Sequence, residues 1–199
     1  MKLNKDEAFT GLEAAIVLIA FVVVAAVFSY VVLGAGFFTT QKAQEVVYTS
    51  VDQASSSIEI LGDVYGLNTT SPVPTGPVID AVRFTVGLTA GGSPVDFSQT
   101  TLTFSTNENV SRLDRAADTL TEATSISPGE WGVIRMANND SSDLLLENQE
   151  QFTIYAMPVA SDAIEANEDF EIQVRPAVGT AYAIERSAPA RVTGVNALY

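Results

Sequence analysis

A chain of 199 residues with a formal charge of −14, no cysteine and no histidine excludes several function classes at once. It has no disulfide framework, no thiolate metal site, no imidazole ligand and no histidine base near pH 7. Lysine occurs only at positions 2, 5 and 42, and the seven arginines beyond face a large carboxylate excess; such a surface repels phosphate backbones, excludes nucleic-acid binding and suits an exposed exterior.

The N-terminus reads charge, glycine, grease. Met1–Gly11 carries Lys2 and Lys5 against Asp6 and Glu7, and Gly11-Leu12-Glu13 leads into Ala14–Phe38, 25 residues without a charged side chain. As a helix that run is about 37 Å long, enough to cross a hydrocarbon layer of about 30 Å. The weak basic bias of the leader places it on the cytoplasmic side and the acidic remainder outside. A secretory leader cut in the ordinary way loses its apolar segment. A cut between Gly11 and Leu12 keeps it, so the apolar helix must then be covered by a bilayer or by copies of itself.

Within the run, Ala14, Ala15, Ala20, Ala25, Ala26, Gly34 and Gly36 are small, and Ile19 and Phe21 stand among them. Small residues let helix backbones approach closely, which favours helix–helix packing; alanine and glycine are also common in any membrane span. Gly34 and Gly36 permit a bend. After a cut at Gly11, Glu13 is the second residue of the mature chain. There it either pairs with a new terminal amine or is solvated at an interface.

The helical period continues past the grease. Ala43, Val47, Val51, Ala54, Ile58 and Leu61 form a stripe at spacings of 3 to 4, opposite Gln41, Lys42, Gln44, Glu45, Asp52, Gln53 and Glu59. Gly62 is the expected stop. The predicted organisation is a leader over 1–11, one long helix over 12–62, a linker over 63–77 containing Ser71-Pro-Val-Pro-Thr-Gly-Pro77, and a head over 78–199. About 137 residues remain after Gly62, sufficient for a core without covalent staples.

In the head the period falls to two. Val78–Leu88, Leu102–Ser105 and Phe170–Arg175 alternate, and Trp131–Met136, Gln151–Met157, Ala181–Glu185 and Arg191–Val195 are weaker strand predictions. Short strands separated by Gly, Pro, Asn and Ser predict an antiparallel, Ig-like β-sandwich, so the fold class is α+β. Asn109–Thr124 reads equally as a short helix on Val110, Leu113, Ala117 and Leu120 or as a loop over the sandwich.

Three sequons, at Asn68, Asn109 and Asn139, are candidates for N-glycosylation. The Asx-rich run around Asp140 and Asp143 offers oxygens for a hard cation but lacks EF-hand spacing, so an ordinary turn is expected and no metal or cofactor is assigned. No carboxylate pair stands out, and lysine is confined to the leader and helix. An enzyme is not predicted.

The stretch Gly11-Leu12-Glu13-Ala14-Ala15-Ile16-Val17-Leu18-Ile19-Ala20-Phe21-Val22-Val23-Val24-Ala25-Ala26-Val27-Phe28 resembles the N-terminus of archaellins, the archaeal flagellins. The resemblance covers about Phe9 to Phe38. Unlike the usual leader, this one has Phe9 and Thr10 where basic residues precede the glycine. The resemblance implies cleavage after Gly11 by a prepilin-like (type III) signal peptidase, a membrane aspartyl protease. It further implies assembly by a membrane platform protein and a cytoplasmic motor ATPase into a self-assembling helical filament for swimming at the cell surface. In that filament the helices bundle inside and the heads lie outside. An adhesive pilin and a membrane-anchored extracellular domain are the alternatives.

Overall fold

The computed structural model describes residues 5–69, 78–139 and 141–199. One helix, α1 (Lys5–Ser55), is followed by the strands β1 (Ile58–Ile60), β2 (Val64–Leu67), β3 (Ala81–Leu88), β4 (Val95–Asp96), β5 (Thr101–Thr106) and β6 (Val110–Arg115). Then come β7 (Glu130–Ala137), β8 (Leu145–Leu146), β9 (Gln151–Met157), β10 (Asp169–Arg175), β11 (Tyr182–Ser187) and β12 (Val195–Leu198). Two compact units divide between Ser50 and Val51.

In the second unit the main sheet runs β11-β10-β5-β6-β7-β9-β3-β2-β12, with β1 added to β3. Every neighbouring pair is antiparallel except β6 with β7, which meet in parallel over Asp114↔Glu130 and Arg115↔Trp131. That two-residue pairing joins the two halves of the sheet, and both halves bury one face in a single core. Val82, Phe84, Val86, Phe152 and Ile154 come from one half, and Leu102, Phe104, Phe170, Ile172 and Val174 from the other. Phe104 stacks on Phe170 with ring centroids 5.9 Å apart, and Phe97 meets Phe152 edge-on at 5.5 Å. The far ends of the strand order also meet, since the Ser187 amide donates to the Tyr199 carbonyl at 3.3 Å. The head is thus a sandwich whose sheets form one continuous path.

The structure corrects the expected boundaries. α1 ends at Ser55, not near Leu61, and the following residues, predicted as helix and linker, belong to the sheet: Ile58–Ile60 pairs with Leu88–Val86 and Val64–Leu67 with β3 and β12. The spacing that put Ile58 on the helical stripe also fits a strand. Burial of Ile58 in the head core, together with three serines of low helix propensity at 55–57, favours the strand. Gly62, expected as the helix stop, instead turns the chain between β1 and β2 at φ +80°. The Pro-rich part of the expected linker, 71–77, and Met1–Asn4 of the leader lie outside the described residues.

Asn109–Thr124 is not the short helix; it is a strand followed by a loop over the sandwich, the second of the two readings holding for its latter part. Its first part is β6, in which Leu113 is buried while Val110 and Leu120 of the same helical set are exposed. The rest crosses the outer face of β3 and β9, where Ala81, Ile126 and Tyr155 form a second small core. The expected strand over Arg191–Val195 starts only at Val195. The Asn196 side chain ties the preceding turn, accepting from the Thr193 amide at 2.7 Å and donating to the Thr193 carbonyl at 2.8 Å.

The three serines after the last helical turn are held by two loops of the head. Ser55 Oγ lies 2.7 Å from Ser93 Oγ, Ser57 Oγ lies 2.7 Å from Thr89 Oγ1, and the Thr180 amide donates to the Ser56 carbonyl at 3.2 Å. Gly179 is required here: its φ is +111°, and a Cβ would stand 2.2 Å from the Ser56 oxygen. Gly179→Ala is expected to destabilise the head by about 2–4 kcal/mol, read as a lower thermal midpoint of the β-sheet circular-dichroism signal.

Candidate functional site: the exposed apolar helix

From Gly11 to Ser50 every residue of α1 is exposed. Leu12 is 61% accessible, Phe21 73% and Phe28 69%, values ordinary for lysine and abnormal for leucine and phenylalanine. Between Leu12 and Val51, 21 large apolar side chains are exposed in this way. At about 1.5–3 kcal/mol for each side chain fully buried, covering even half of them outweighs the 5–15 kcal/mol that holds an ordinary domain folded. From Ala14 to Phe38 the segment is apolar around its whole circumference, so one covered stripe does not suffice. Such a helix is surrounded by lipid or by other helices. By length and composition it can cross a membrane.

Three of the predicted packing residues, Ala14, Phe21 and Gly36, line recesses of this surface. Ala14 lines a shallow apolar recess with Glu13, Val17, Leu18, Phe21 and Val22; Gly36 lines a second with Phe28, Val32, Leu33 and Phe37. Space is open where a Cβ would stand at Gly11, Gly34 and Gly36, so their small size leaves room for a neighbour. Ala15, Ile19, Ala20, Ala25 and Ala26 lie on the same exposed stretch. Gly11 and Leu12 are continuous with the helix, which already begins at Lys5.

The helix also carries a device that periodicity does not reveal. Thr39 Oγ1 donates to the Ala35 carbonyl at 2.8 Å, Thr40 Oγ1 to Gly36 at 2.9 Å and Thr49 Oγ1 to Glu45 at 2.9 Å. These hydroxyls are satisfied by their own helix and need no water when the surface is covered. Lys42 and Glu45 form a 2.6 Å ion pair one turn apart, which likewise reduces the cost of burying either charge. A Ser or Thr four residues after a small residue in an apolar run is the signal that finds the first two.

The head places the three sequons differently. Asn109 is exposed at the β5–β6 hairpin, and its Nδ2 donates to Asp162 Oδ1 at 2.8 Å. Asn139 is half-buried, its Nδ2 donating to the Asp143 carbonyl at 3.2 Å, and Asn68 is half-buried beside β2. Asp143 Oδ1 accepts the Leu145 amide at 3.0 Å, so it is used within its turn; Asp140, the other expected oxygen donor, lies outside the described residues. Among the described residues no three acidic side chains converge as a cation site. The Asn109 amide holds the Asp162 carboxyl below its ordinary range, with a smaller contribution from Ser161, against the burial that pushes it up.

A depressed carboxyl pKa contributes stability above the unfolded value of about 3.9 and loses it as the pH falls through the folded value. Asn109→Ala is therefore expected to cost about 1–2 kcal/mol at pH 7. The difference from the parent chain should shrink below about pH 4, as measured by denaturant melts across that range.

An exposed apolar helix joined to a folded acidic β-head defines a subunit made to be embedded, in membrane or in polymer. The archaeal-type flagellin family model matches residues 8–186. The chain is 41% identical to Probable flagellin 1 of Archaeoglobus fulgidus, over 98% of this chain and 97% of that protein. It is 91% identical to the 24 kDa flagellin of Methanospirillum hungatei over 32 residues, 16% of this chain and all of that sequence. The solved archaeal flagellum of Methanospirillum hungatei strain JF1 is similar at a TM-score of 0.70 and 30% identity, covering 94% of this chain and 98% of that one. The chain belongs to the archaeal-type flagellin family.

Proposed function

We propose that this chain is a structural subunit that polymerises into the archaellum filament for swimming, with its apolar helix buried against neighbouring copies. The observation that carries the reading is the uninterrupted exposure of 11–50 on a helix that is apolar on all sides over 14–38. The likeness to a solved archaeal flagellum over 94% of the chain supports it. The role is mechanical, not catalytic, and the filament lies at the cell surface.

The precursor waits in the cytoplasmic membrane with α1 spanning it, and a prepilin-like signal peptidase cuts between Gly11 and Leu12. A membrane platform protein and a cytoplasmic ATPase then drive assembly and rotation. In leaving lipid for protein the helix gains little hydrophobic energy, so close packing at Ala14, Ala15, Ala20, Ala25, Ala26, Gly34 and Gly36, with Ile19 and Phe21 as the larger partners, decides the outcome. Glu13, second in the mature chain, pairs with a terminal amine inside the filament. The working domains are the leader 1–11, the core-forming helix, and a head that begins at the serine clamp. Of the sequons, Asn109 is the most open to a glycan, and its amide keeps one hydrogen for Asp162 after attachment; Asn68 and Asn139 are the further candidates.

Two measurements test this. Filaments sheared from cells should contain subunits whose first residue is Leu12; subunits that retain Met1–Gly11 and occur only in membranes would contradict the reading. Gly36→Leu, which fills the second recess, should lower the yield of sheared filament at least tenfold while leaving the head's thermal midpoint unchanged.

A further inference from the structure

The outer face of β6-β5-β10-β11 is ordered by charge. These strands bury Leu113, Leu102, Phe104, Phe170, Ile172, Val174 and Ile184, so the alternate residues face outward. The strand register sets those residues in rows. Glu185, Glu171 and Ser105 share one row, Gln173, Thr103 and Arg112 the next, and Arg175 stands opposite Thr101 in the row after. Asp169 lies one row beyond the two glutamates. One end of the face is therefore acidic and the other basic, with uncharged Thr103 and Gln173 between. Arg186 near the acids and Asp114 beside the arginines reduce the contrast but do not reverse it.

The polarity is not resolved within one copy. Glu171 and Glu185 are direct cross-strand partners, an arrangement that destabilises a sheet unless a cation is near. The one ion pair within 4.0 Å among the described residues is Lys42–Glu45. Glu171 and Arg175, four residues apart on a strand, are separated by about 13 Å along it, beyond the screening length of about 8 Å at physiological salt. The acidic end borders a shallow groove of about 500 Å³ lined by Ser105, Asp169, Glu171, Glu185, Arg186 and Ser187, among others, so that one arginine stands against three carboxylates. The Ser187 and Ser105 hydroxyls donate within the copy, to the Asp169 carboxylate and the Glu171 carbonyl, and the Glu171 and Glu185 carboxylates are further acceptors. A guanidinium, with five donors on a long stem, is the group that satisfies them.

We infer that this face is a head-to-head contact in the polymer: Arg112 and Arg175 of one copy dock onto Asp169, Glu171 and Glu185 of the next. The occupant is a second copy of this chain because the two ends are complementary, and a staggered contact that engages each end with a different neighbour continues as an open helical series. The contact also offsets the mutual repulsion of heads from a chain of net charge −14. The inference rests on the filament reading and names the surface by which the heads engage.

The test uses the full chain as the only filament subunit in cells. One variant carries Glu171→Arg with Glu185→Arg, a second Arg112→Glu with Arg175→Glu, and each is expressed alone and then together with the other. Each alone is expected to give at least tenfold less sheared filament than the parent, because like ends meet. The two together are expected to recover filament to within about threefold, since the reversed ends complement each other, and misfolded heads would not do so. Parental filament yield from either variant alone would overturn the inference and leave the filament reading standing, as would loss in both with no recovery on mixing. Absence of filament from the parent chain would overturn both.

Discussion

A run of forty residues, 11–50, is exposed on one helix, and over 14–38 it presents leucine, valine, isoleucine and phenylalanine on every side. Most of the remaining structure is a response to that exposure. A helix with a single apolar stripe is satisfied by the domain beside it. One that is apolar all round demands an environment that encloses it, and only a bilayer or a bundle of other helices does so. Moving between those two environments leaves the amount of exposed hydrocarbon nearly unchanged. The decision then falls to packing detail: the alanines and glycines that admit a neighbouring backbone, and the self-satisfied hydroxyls of Thr39, Thr40 and Thr49 that cross no water when enclosed.

The same constraint explains the independence of the head. A subunit whose helix is held by others must fold its exterior without help from that helix. The β-unit builds its own core from both halves of one continuous sheet, and it captures the chain immediately after α1 through Ser55, Ser56 and Ser57. Sheet ends that would invite uncontrolled strand addition meet at Ser187 and Tyr199. What the head leaves exposed is charge, and that charge is sorted into opposite ends of one face.

Much of this was legible from residue order. The uncharged run from Ala14 to Phe38 announced the helix, and the alternation of Phe170, Ile172 and Val174 announced the best strand. Legibility failed where two periods coincide. Ile58 lies four residues from Ala54 and two from Ile60, so it fits helix and strand alike, and only its burial decides. It failed again at Val110–Arg115, where one buried leucine, Leu113, carries the strand and its neighbours imitate a helical set. The site itself, as a stretch of helix, was fully visible. The Thr39 and Thr40 bonds to Ala35 and Gly36 were not, because they depend on side-chain direction rather than on composition. The charge order on the β6-β5-β10-β11 face depends on strand register between residues up to 74 positions apart, which no local pattern encodes.

Enclosure of this helix by neighbouring copies is open to direct chemical test. The chain has no native cysteine, so a single one introduced at Val22 reports on that enclosure without background. Sheared, intact filaments carrying Val22→Cys would be treated with a membrane-impermeant maleimide, with Asn148→Cys, exposed in the turn between β8 and β9, as the accessible control. The account predicts that the head cysteine reacts fully while the helix cysteine stays unreacted until the filaments are dissociated. Equal labelling of both positions in intact filaments would contradict it.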